Sequence, residues 1–216
     1  MSNKPIRIAI IGGTGYSGSN IARESLSRGL AVTAISRHGT DDPIRDVNYV
    51  RGSYSDEAFV EQLSADHDVI VFAVHHLAEP ALINELPRIA AAASGSGARL
   101  GFVGGAGSTL VTESGPRVVD TPEFAEEWKP EALAGAATLD WLRINGTGLE
   151  WFYVSPAATY GSWVPGEATG KYRTSGDVLI RDEDGNSEIS GSDFALAFVD
   201  EILEPKHINK RFHVAH

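Results

Sequence analysis

The fold of this chain is decided by one stretch near its start, Ile6-Arg7-Ile8-Ala9-Ile10-Ile11-Gly12-Gly13-Thr14-Gly15-Tyr16-Ser17-Gly18. A run of mainly β-branched residues, a cluster of glycines and a segment with helical apolar spacing predict a strand, a tight turn and a helix. Gly12, Gly15 and Gly18 follow the spacing G-x-x-G-x-x-G, in which missing β-carbons let the backbone approach a pyrophosphate at the helix N-terminus. This pattern predicts a dinucleotide-binding turn, although a plain strand-to-helix turn also tolerates such glycines.

The composition limits the class of protein. The chain has 216 residues, of which 42% are hydrophobic and 22% are charged, and this suits one globular domain. Its 18 basic and 29 acidic residues give a formal net charge of -11, which opposes binding to nucleic acid or to an anionic membrane surface. There is no cysteine, and we expect no metal site. Because Met1–Pro5 lacks a signal-peptide pattern and no apolar run approaches the ~20 residues of a membrane span, we expect a cytoplasmic protein.

Strand and helix patterns alternate as far as residue 154. After the first strand, we predict strands at Ala31–Ile35, Asn48–Arg51, Asp68–Val74, Arg99–Val103 and Glu150–Val154. A helix capped by Ser55, one with apolar spacing from Leu82, and one starting at Pro130 with Leu133, Ala136, Ala137 and Trp141 inward lie between them. The alternation predicts an α/β fold of the Rossmann type, a doubly wound parallel sheet.

The alternation stops in the last third of the chain. Residues 155–190 contain many glycines and aromatic residues, and Val178–Ile180 and Ser187–Ile189 flank a turn as in a hairpin. A final helix around Phe194 and a closing strand at Phe212–Val214 follow. We therefore predict one domain over residues 1–216, with 155–190 as a small C-terminal region that covers the substrate side.

The tip of the second strand indicates which dinucleotide is bound. An acidic residue at this position binds the ribose 2′-hydroxyl of NAD, whereas an arginine nearby accommodates the 2′-phosphate of NADP. Ser36 and Arg37 occupy the tip, and Asp41 and Asp42 come too late to belong to the strand. This favours NADP, with NAD possible, although Arg37 could also be an exposed loop charge.

Three further groups follow the central strands, at the edge where ligands of open α/β sheets bind. Ala73 is small enough to let the adenosine side pass, and His75 is a candidate catalytic residue, although a loop histidine is more often only solvated. Gly104 to Gly107 form a second glycine-rich turn that would lie beside the nicotinamide. Ser108 is a candidate hydrogen-bond donor to substrate, or part of a flexible strand exit.

Together these motifs resemble the atypical short-chain dehydrogenases/reductases, and within them the NmrA-like NAD(P)H-binding proteins described as candidate NADH-flavin reductases. The motifs that carry the resemblance are Gly12–Gly18, Ser36-Arg37, Val103–Ser108, Ser155–Ala157 and Gly170–Tyr172. The resemblance implies that Gly12, Thr14, Gly15, Tyr16 and Ser17 cradle the pyrophosphate and that Arg37 contacts the adenosine phosphate. It also implies that Ala73 and Val74 flank the ribose and that Gly104, Gly105, Ser155, Pro156 and Ala157 frame the nicotinamide. Relatives often have an Asp after the third strand, where this chain has Ser53-Tyr54.

The chain lacks the Tyr-x-x-x-Lys pair that typical short-chain dehydrogenases use to exchange a proton with an alcohol or carbonyl oxygen. Hydride transfer to a ketone leaves an alkoxide that needs such a donor, whereas a flavin or quinone delocalises the charge and takes its proton from water. The leading hypothesis is therefore an NADPH-dependent reductase of a small flavin or quinone-like acceptor. The flavin would be a substrate and not a prosthetic group, and Trp128, Tyr160 or Trp163 would stack on it, unless these aromatics belong to the core.

Two other functions remain open from the sequence. A non-enzymatic NADP(H)-sensing regulator would also bind the dinucleotide without a Tyr/Lys pair. A sugar-nucleotide epimerase or dehydratase would share the fold but would require the missing pair and a longer substrate region. Whichever function applies, we expect the protein to be a monomer or a homodimer.

Overall fold

The computed structural model describes residues 4–216. The predictions about a signal peptide and about the domain bounds also include Met1–Asn3, which lie outside the described residues. In the described part of the chain, eight strands form one sheet in the order β3-β2-β1-β4-β5-β6-β8-β7. Their bounds are β1 Arg7–Ile11, β2 Ala31–Ser36, β3 Asn48–Arg51, β4 Val69–Phe72, β5 Arg99–Val103, β6 Trp151–Ser155, β7 Arg173–Ser175 and β8 Lys210–Ala215. Neighbouring strands are parallel except β7, which is antiparallel to β8. The strand order reverses between β1 and β4, which creates the crevice where such folds bind ligands.

Helices cover both faces of the sheet. Their bounds are α1 Tyr16–Ser27, α2 Glu57–Asp66, α3 Leu82–Ser96, α4 Lys129–Asn145 and α5 Gly191–Leu203. Alternate residues of β1 enter different cores: Ile8 and Ile10 pack with α1 and α5, whereas Ala9 and Ile11 pack with the other three helices. Because both faces are covered, the central strands are buried throughout, which explains their almost wholly apolar sequences. The prediction of a Rossmann-type doubly wound sheet is confirmed.

Two helix predictions need correction. α2 is capped by Asp56, whose carboxylate accepts the N–H of Phe59, and not by Ser55, whose hydroxyl is hydrogen-bonded to that of Ser53. On α4 the buried residues include Ala136, Leu139 and Leu142, whereas Leu133 and Ala137 are exposed. The helix is rotated relative to the prediction because Gly135 faces the sheet, where a β-carbon would lie 3.3 Å from the Tyr153 hydroxyl.

The predicted hairpin over residues 178–189 is wrong. Val178 pairs with Leu110, and Glu188 pairs with Thr159, so the two segments join different loops at the carboxyl edge of the sheet. Between them Asp182 closes a tight turn by accepting the backbone N–H of Asn186. The short edge strand β7 was not predicted from the sequence. Among residues 4–216, no helix combines the length and the apolar character that a bilayer span requires.

Candidate functional site

A cleft of about 880 Å³ lies along the carboxyl ends of the parallel strands. Its walls run from the tips of β2 and β3, past β1 and β4, to those of β5 and β6. This volume is in the range of cofactor sites. The sequence-predicted residues that line it are Gly12, Thr14, Gly15, Tyr16, Ser17, Ser36, Arg37, Ala73, Val74, His75, Gly104, Gly105, Ser108, Trp128, Pro156, Ala157, Tyr160 and Trp163. Gly18 and Ser155, which were predicted to contact the cofactor, lie behind the wall.

The turn between β1 and α1 requires glycine for two steric reasons. Gly12 has a φ of +82°, and a β-carbon there would lie 2.2 Å from the carbonyl oxygen of Ala73. A β-carbon at Gly18 would lie 2.2 Å from the carbonyl oxygen of Gly12. Gly18 therefore allows the helix to pack closely on the turn, while Gly12 brings the turn against the end of β4.

The N-terminus of α1 is left open for an anion. Gly15 is its N-cap, no side chain caps it, and its first turn holds no acidic residue. By contrast, Asp56 caps α2 and Ser190 caps α5, and each of those helices has an acidic residue in its first turn. The first N–H groups of a helix have no intrahelical acceptor and carry a partial positive charge. The turn therefore fits a pyrophosphate, because α1 lacks the groups that would otherwise neutralise its positive end.

At the end of the cleft beside β2 and β3, where the adenosine is predicted to bind, Arg37 reaches across the cleft. Its Nη1 donates to the carbonyl oxygen of Glu79 at 3.3 Å. Burial raises the pKa of Tyr54, and the positive charge of Arg37 partly opposes this shift. The Ser36 hydroxyl accepts the N–H of Gly39 at 3.0 Å, so Ser36 shapes the turn that carries Arg37. Ser53 and Tyr54, which stand where relatives often have an aspartate after the third strand, also line this end of the cleft.

Two adjacent glycines have different roles at the end of the cleft beside β5 and β6, where the nicotinamide is predicted to bind. A β-carbon at Gly104 would lie 1.9 Å from a ring carbon of Tyr153, whereas one at Gly105 would meet nothing within 4 Å. Gly104 is thus needed for packing, and Gly105 leaves the floor of the cleft open. On the opposite side, Pro156 and Ala157 line the cleft, and the Ser155 side chain is buried with its hydroxyl accepting from Arg211.

The two candidate catalytic residues differ strongly in exposure. Ser108 is only 8% exposed, and its Oγ is buried without a hydrogen-bond partner. It lies in the wall between the cleft and a second cavity of about 100 Å³. The side chain of His75 is 89% exposed, with Nδ1 3.7 Å from a carboxylate oxygen of Glu131. Ser108 is therefore held in place by its surroundings, while His75 is largely solvated at the rim.

The structure adds Glu131 and His76 to the site, both of which line the cleft. The Glu131 carboxylate accepts the backbone N–H groups of His76 at 2.6 Å and Leu77 at 3.1 Å, which ties the loop after β4 to α4. The Thr138 hydroxyl donates its proton to the carbonyl oxygen of Ala134, so it must accept a hydrogen bond from His76 Nδ1, 3.0 Å away. The proton of the neutral imidazole is therefore on Nδ1, and Nε2 is unprotonated and has no hydrogen-bond partner. Burial lowers the pKa of His76. Sequence spacing could not reveal these contacts, because the partners are more than 50 residues apart.

The three aromatic candidates have distinct surroundings. Trp128, before α4, and Trp163, after β6, stack on each other with ring centroids 5.6 Å apart and an interplanar angle of 16°. Both are exposed, by 53% and 67%. Tyr160 instead packs on Phe194 at 4.8 Å, and its hydroxyl is hydrogen-bonded to that of Ser17 at 2.8 Å. The two tryptophans therefore present free aromatic surface, whereas Tyr160 is mainly a packing residue.

This chain is similar to several known proteins over almost its whole length. The uncharacterised protein YwnB of Bacillus subtilis is 34% identical over 223 residues, covering 97% of this chain and 98% of that protein. A Streptococcus pneumoniae structure, named a candidate NADH-flavin reductase, is 31% identical with a TM-score of 0.86, covering 98% of this chain and 99% of that one. A Bacteroides thetaiotaomicron structure, named a candidate epimerase, is 30% identical with a TM-score of 0.86, covering 99% and 98%.

The family itself follows from a match along most of the chain. The NAD(P)H-binding family matches residues 12–205, from the first glycine of the β1–α1 turn to the residues after α5. The matched range contains every residue that lines the cleft except Ile11, and the uncapped helix α1 lies near its start. The chain therefore belongs to the NAD(P)H-binding family, as its resemblance to NmrA-like atypical short-chain dehydrogenases/reductases indicates.

Proposed function

We propose that this protein is an NAD(P)H-dependent oxidoreductase that reduces a planar conjugated acceptor of the flavin or quinone class, with NADPH as the preferred donor. The observation that carries the proposal is the composition of the nicotinamide end of the cleft. A β-carbon at Gly105 would meet nothing within 4 Å, the exposed rings of Trp128 and Trp163 line the same cleft, and no Tyr-x-x-x-Lys pair exists in the sequence. The name of the similar Streptococcus pneumoniae protein supports the same chemistry.

The residues of the β1–α1 turn would hold the cofactor. The open N-terminus of α1 accepts the diphosphate, Arg37 lies at the adenosine end, and Gly105 with Pro156 and Ala157 borders the nicotinamide end. When bound, the reduced nicotinamide supplies a hydride to the acceptor. The protein's contribution is to hold donor and acceptor face to face, because proximity and orientation lower the barrier of a two-substrate reaction.

The acceptor would lie between Gly105 and the Trp128–Trp163 pair. Exposed indoles offer flat apolar surface, and stacking on an aromatic ring contributes about 0.5–1.5 kcal/mol beyond area burial. In this proposal the Ser108 hydroxyl, which lies in the cleft wall without a hydrogen-bond partner, donates a hydrogen bond to a carbonyl oxygen of the acceptor. The single proton that accompanies the hydride would come from water at the open rim, where the His75 side chain is exposed.

The direct test is steady-state oxidation of NADPH and NADH by the purified protein with FMN, riboflavin or a soluble quinone. We expect turnover clearly above the uncatalysed rate with at least one of these acceptors, and a lower KM for NADPH than for NADH. If none of the acceptors is reduced faster than in the absence of protein, the reductase proposal fails.

A cofactor sensor is the second candidate function. One observation favours it: Leu77 is an exposed apolar residue whose backbone N–H donates to Glu131 of the cleft wall, so a partner protein bound at Leu77 would contact the loop beside the cofactor. A sensor would bind NADP(H) without oxidising it and would change its assembly state on binding, which size-exclusion chromatography with and without NADP measures. The epimerase function suggested by the Bacteroides name is less well supported, because this chain lacks the tyrosine–lysine pair.

A further inference from the structure

We propose that Arg51 is a second guanidinium that binds the 2′-phosphate of NADP(H) together with Arg37, and that it sets the preference for NADP(H) over NAD(H). This inference rests on the proposed use of a nicotinamide cofactor in the same cleft. Neither the strand pattern nor the family resemblance singled out Arg51, which is the last residue of β3.

The sheet register places Arg51 beside the tip of β2. Ser36 is the register partner of Arg51, and the N–H of Gly52 donates to the carbonyl oxygen of Ser36 at 3.2 Å. The two strands therefore end at the same level. Since Arg37 directly follows Ser36, the two arginines leave neighbouring strand ends at the same edge of the sheet.

The side chain of Arg51 lies against the turn that carries Arg37. A β-carbon built on Gly39 would be 3.6 Å from both Nε and Nη2 of Arg51. The Ser36 hydroxyl, which accepts the N–H of Gly39, holds this turn closed. Gly39 lines the cleft, and so does Gly52, which follows Arg51 in sequence. Arg51 itself does not line the cleft, and its guanidinium lies against Gly39, next to the end of the cleft where the adenosine is proposed to bind.

Both guanidinium groups are available for an anion. Across residues 4–216, neither Arg37 nor Arg51 forms an ion pair with a carboxylate. Within the described residues, eight of the 13 arginines form ion pairs with side-chain carboxylates, and Arg23, Arg173 and Arg181 form none either, but of these five unpaired arginines only Arg37 and Arg51 lie at the neighbouring strand ends of β2 and β3. Arg37 makes one hydrogen bond, to the backbone of Glu79, which leaves most of its donors free.

The chemistry of the ligand explains why two cations are needed. A phosphate monoester such as the 2′-phosphate carries a charge of about -1.5 to -2 at pH 7, and NAD(H) has a hydroxyl in its place. The net charge of -11 opposes this extra anion, so a local positive potential must outweigh the field of the whole protein. Guanidinium groups suit this task, because their planar array of donors forms paired hydrogen bonds with phosphate oxygens.

The test measures the dissociation constants of NADPH and NADH for the full chain by isothermal titration calorimetry. We expect Arg51→Ala to weaken NADPH binding about tenfold, a typical loss for one charge-assisted phosphate contact, and to change NADH binding less than about twofold. Arg51→Lys should restore part of the affinity, because it keeps the charge but loses the paired donors. The NADPH effect should shrink at high ionic strength.

The matched control is Arg45→Ala, which removes the same charge from the loop between β2 and β3. Arg45 is 94% exposed at its side chain and lies next to Asp46, away from the cleft wall. We expect this variant to bind both cofactors as the wild type does. Equal thermal unfolding midpoints without ligand would show that the variants fold.

Three results would overturn the inference: unchanged NADPH affinity in Arg51→Ala, an equal loss for NADPH and NADH, or an equal NADPH loss in Arg45→Ala. A wild-type protein that binds NADH as tightly as NADPH would also overturn it. Because these are binding measurements, they remain decisive if the protein reduces no acceptor. In that case the reductase proposal fails, and the assignment of Arg51 is judged on selectivity alone.

Discussion

The hydroxyl groups of Ser17 and Tyr160 are hydrogen-bonded at 2.8 Å, and they join the first turn of α1 to the region that follows β6. The ring of Tyr160 packs on Phe194 of α5 and meets Tyr16 edge-on. The cofactor turn and the C-terminal region are therefore parts of one packed unit, and changes on one side should be felt on the other.

We expect Tyr160→Phe to lower the free energy of unfolding by about 1 kcal/mol, because it removes one partly buried hydrogen bond and keeps the ring packing. The KM for the acceptor should stay within about twofold, since Tyr160 packs mainly on core residues. Urea unfolding and steady-state kinetics check the two parts. A large rise in KM with unchanged stability would instead place the Tyr160 ring on the acceptor.

The glycine pair after β5 allows a sharper test, because its members differ only in their surroundings. Gly105→Ala should fold with near-normal stability, since its β-carbon enters open space and the backbone, at φ −138°, accepts alanine. It should weaken NADPH binding or turnover by narrowing the floor of the cleft. Gly104→Ala should lose about 3 kcal/mol or more, because its β-carbon would overlap the Tyr153 ring. Thermal unfolding combined with NADPH titration separates the two effects, and equal stability losses would contradict the assignment.

Replacing either stacked tryptophan should impair use of the acceptor without unfolding the protein. We expect Trp163→Ala and Trp128→Ala each to raise the KM for a flavin or quinone up to about tenfold, the value of one aromatic stack, while NADPH affinity stays unchanged. Ile144→Ala, which truncates an apolar side chain that is 76% exposed and does not line the cleft, is the control. An unchanged KM in both tryptophan variants would remove these rings from the acceptor site.

The buried His213 on β8 should make the protein less stable in mild acid. Burial lowers its pKa to about 4 from its usual value of 6.5, and its Nδ1 lies 3.0 Å from the carbonyl oxygen of Ser155. Between these two values the unfolded chain binds a proton that the folded chain does not. The free energy of unfolding therefore falls as the pH drops from about 6.5 to 4, by about 3 kcal/mol in total, and this contribution levels off below pH 4.

Urea unfolding at several pH values measures this slope. His213→Asn keeps a donor for the Ser155 carbonyl but cannot titrate, so its slope between pH 6.5 and 4 should be shallower than that of the wild type. Thr147→Asn, which changes an exposed residue that does not titrate, should keep the wild-type slope. Identical slopes for the wild type and His213→Asn would contradict the prediction. Burial of His76 acts in the same direction and remains in all three proteins.

The parts of the fold that could be read from the sequence are those set by local pattern. Arg99–Val103 and Asn48–Arg51 have the predicted bounds, because a short run of strand-forming residues ends at a glycine on its carboxyl side in each case. β7 could not be predicted, because Arg173–Ser175 is short and polar, and it is a strand only through pairing with β8 some 40 residues later. The phase of α4 was missed for a similar reason, since the contact of Gly135 with β6 decides it.

The same division applies to the site. The turn at Gly12 is local in sequence, so its spacing was sufficient to predict its place at the cleft. Arg51 and Glu131 were missed, because their partners lie on other elements and are brought to them only by the sheet register and by the packing of α4. The stacking of Trp128 on Trp163 likewise depends on two loops meeting, which no spacing could indicate.

The unprotected start of α1 has a consequence for how long the protein survives in its folded form. No side chain accepts the first N–H groups of this helix, so a bound dinucleotide phosphate would be their acceptor. A ligand held only by the folded chain, at about 100 times its Kd, adds about 2.7 kcal/mol to stability. Resistance to heat and to proteases should therefore rise and fall with the supply of dinucleotide, so that scarcity of the coenzyme shortens the lifetime of its binder.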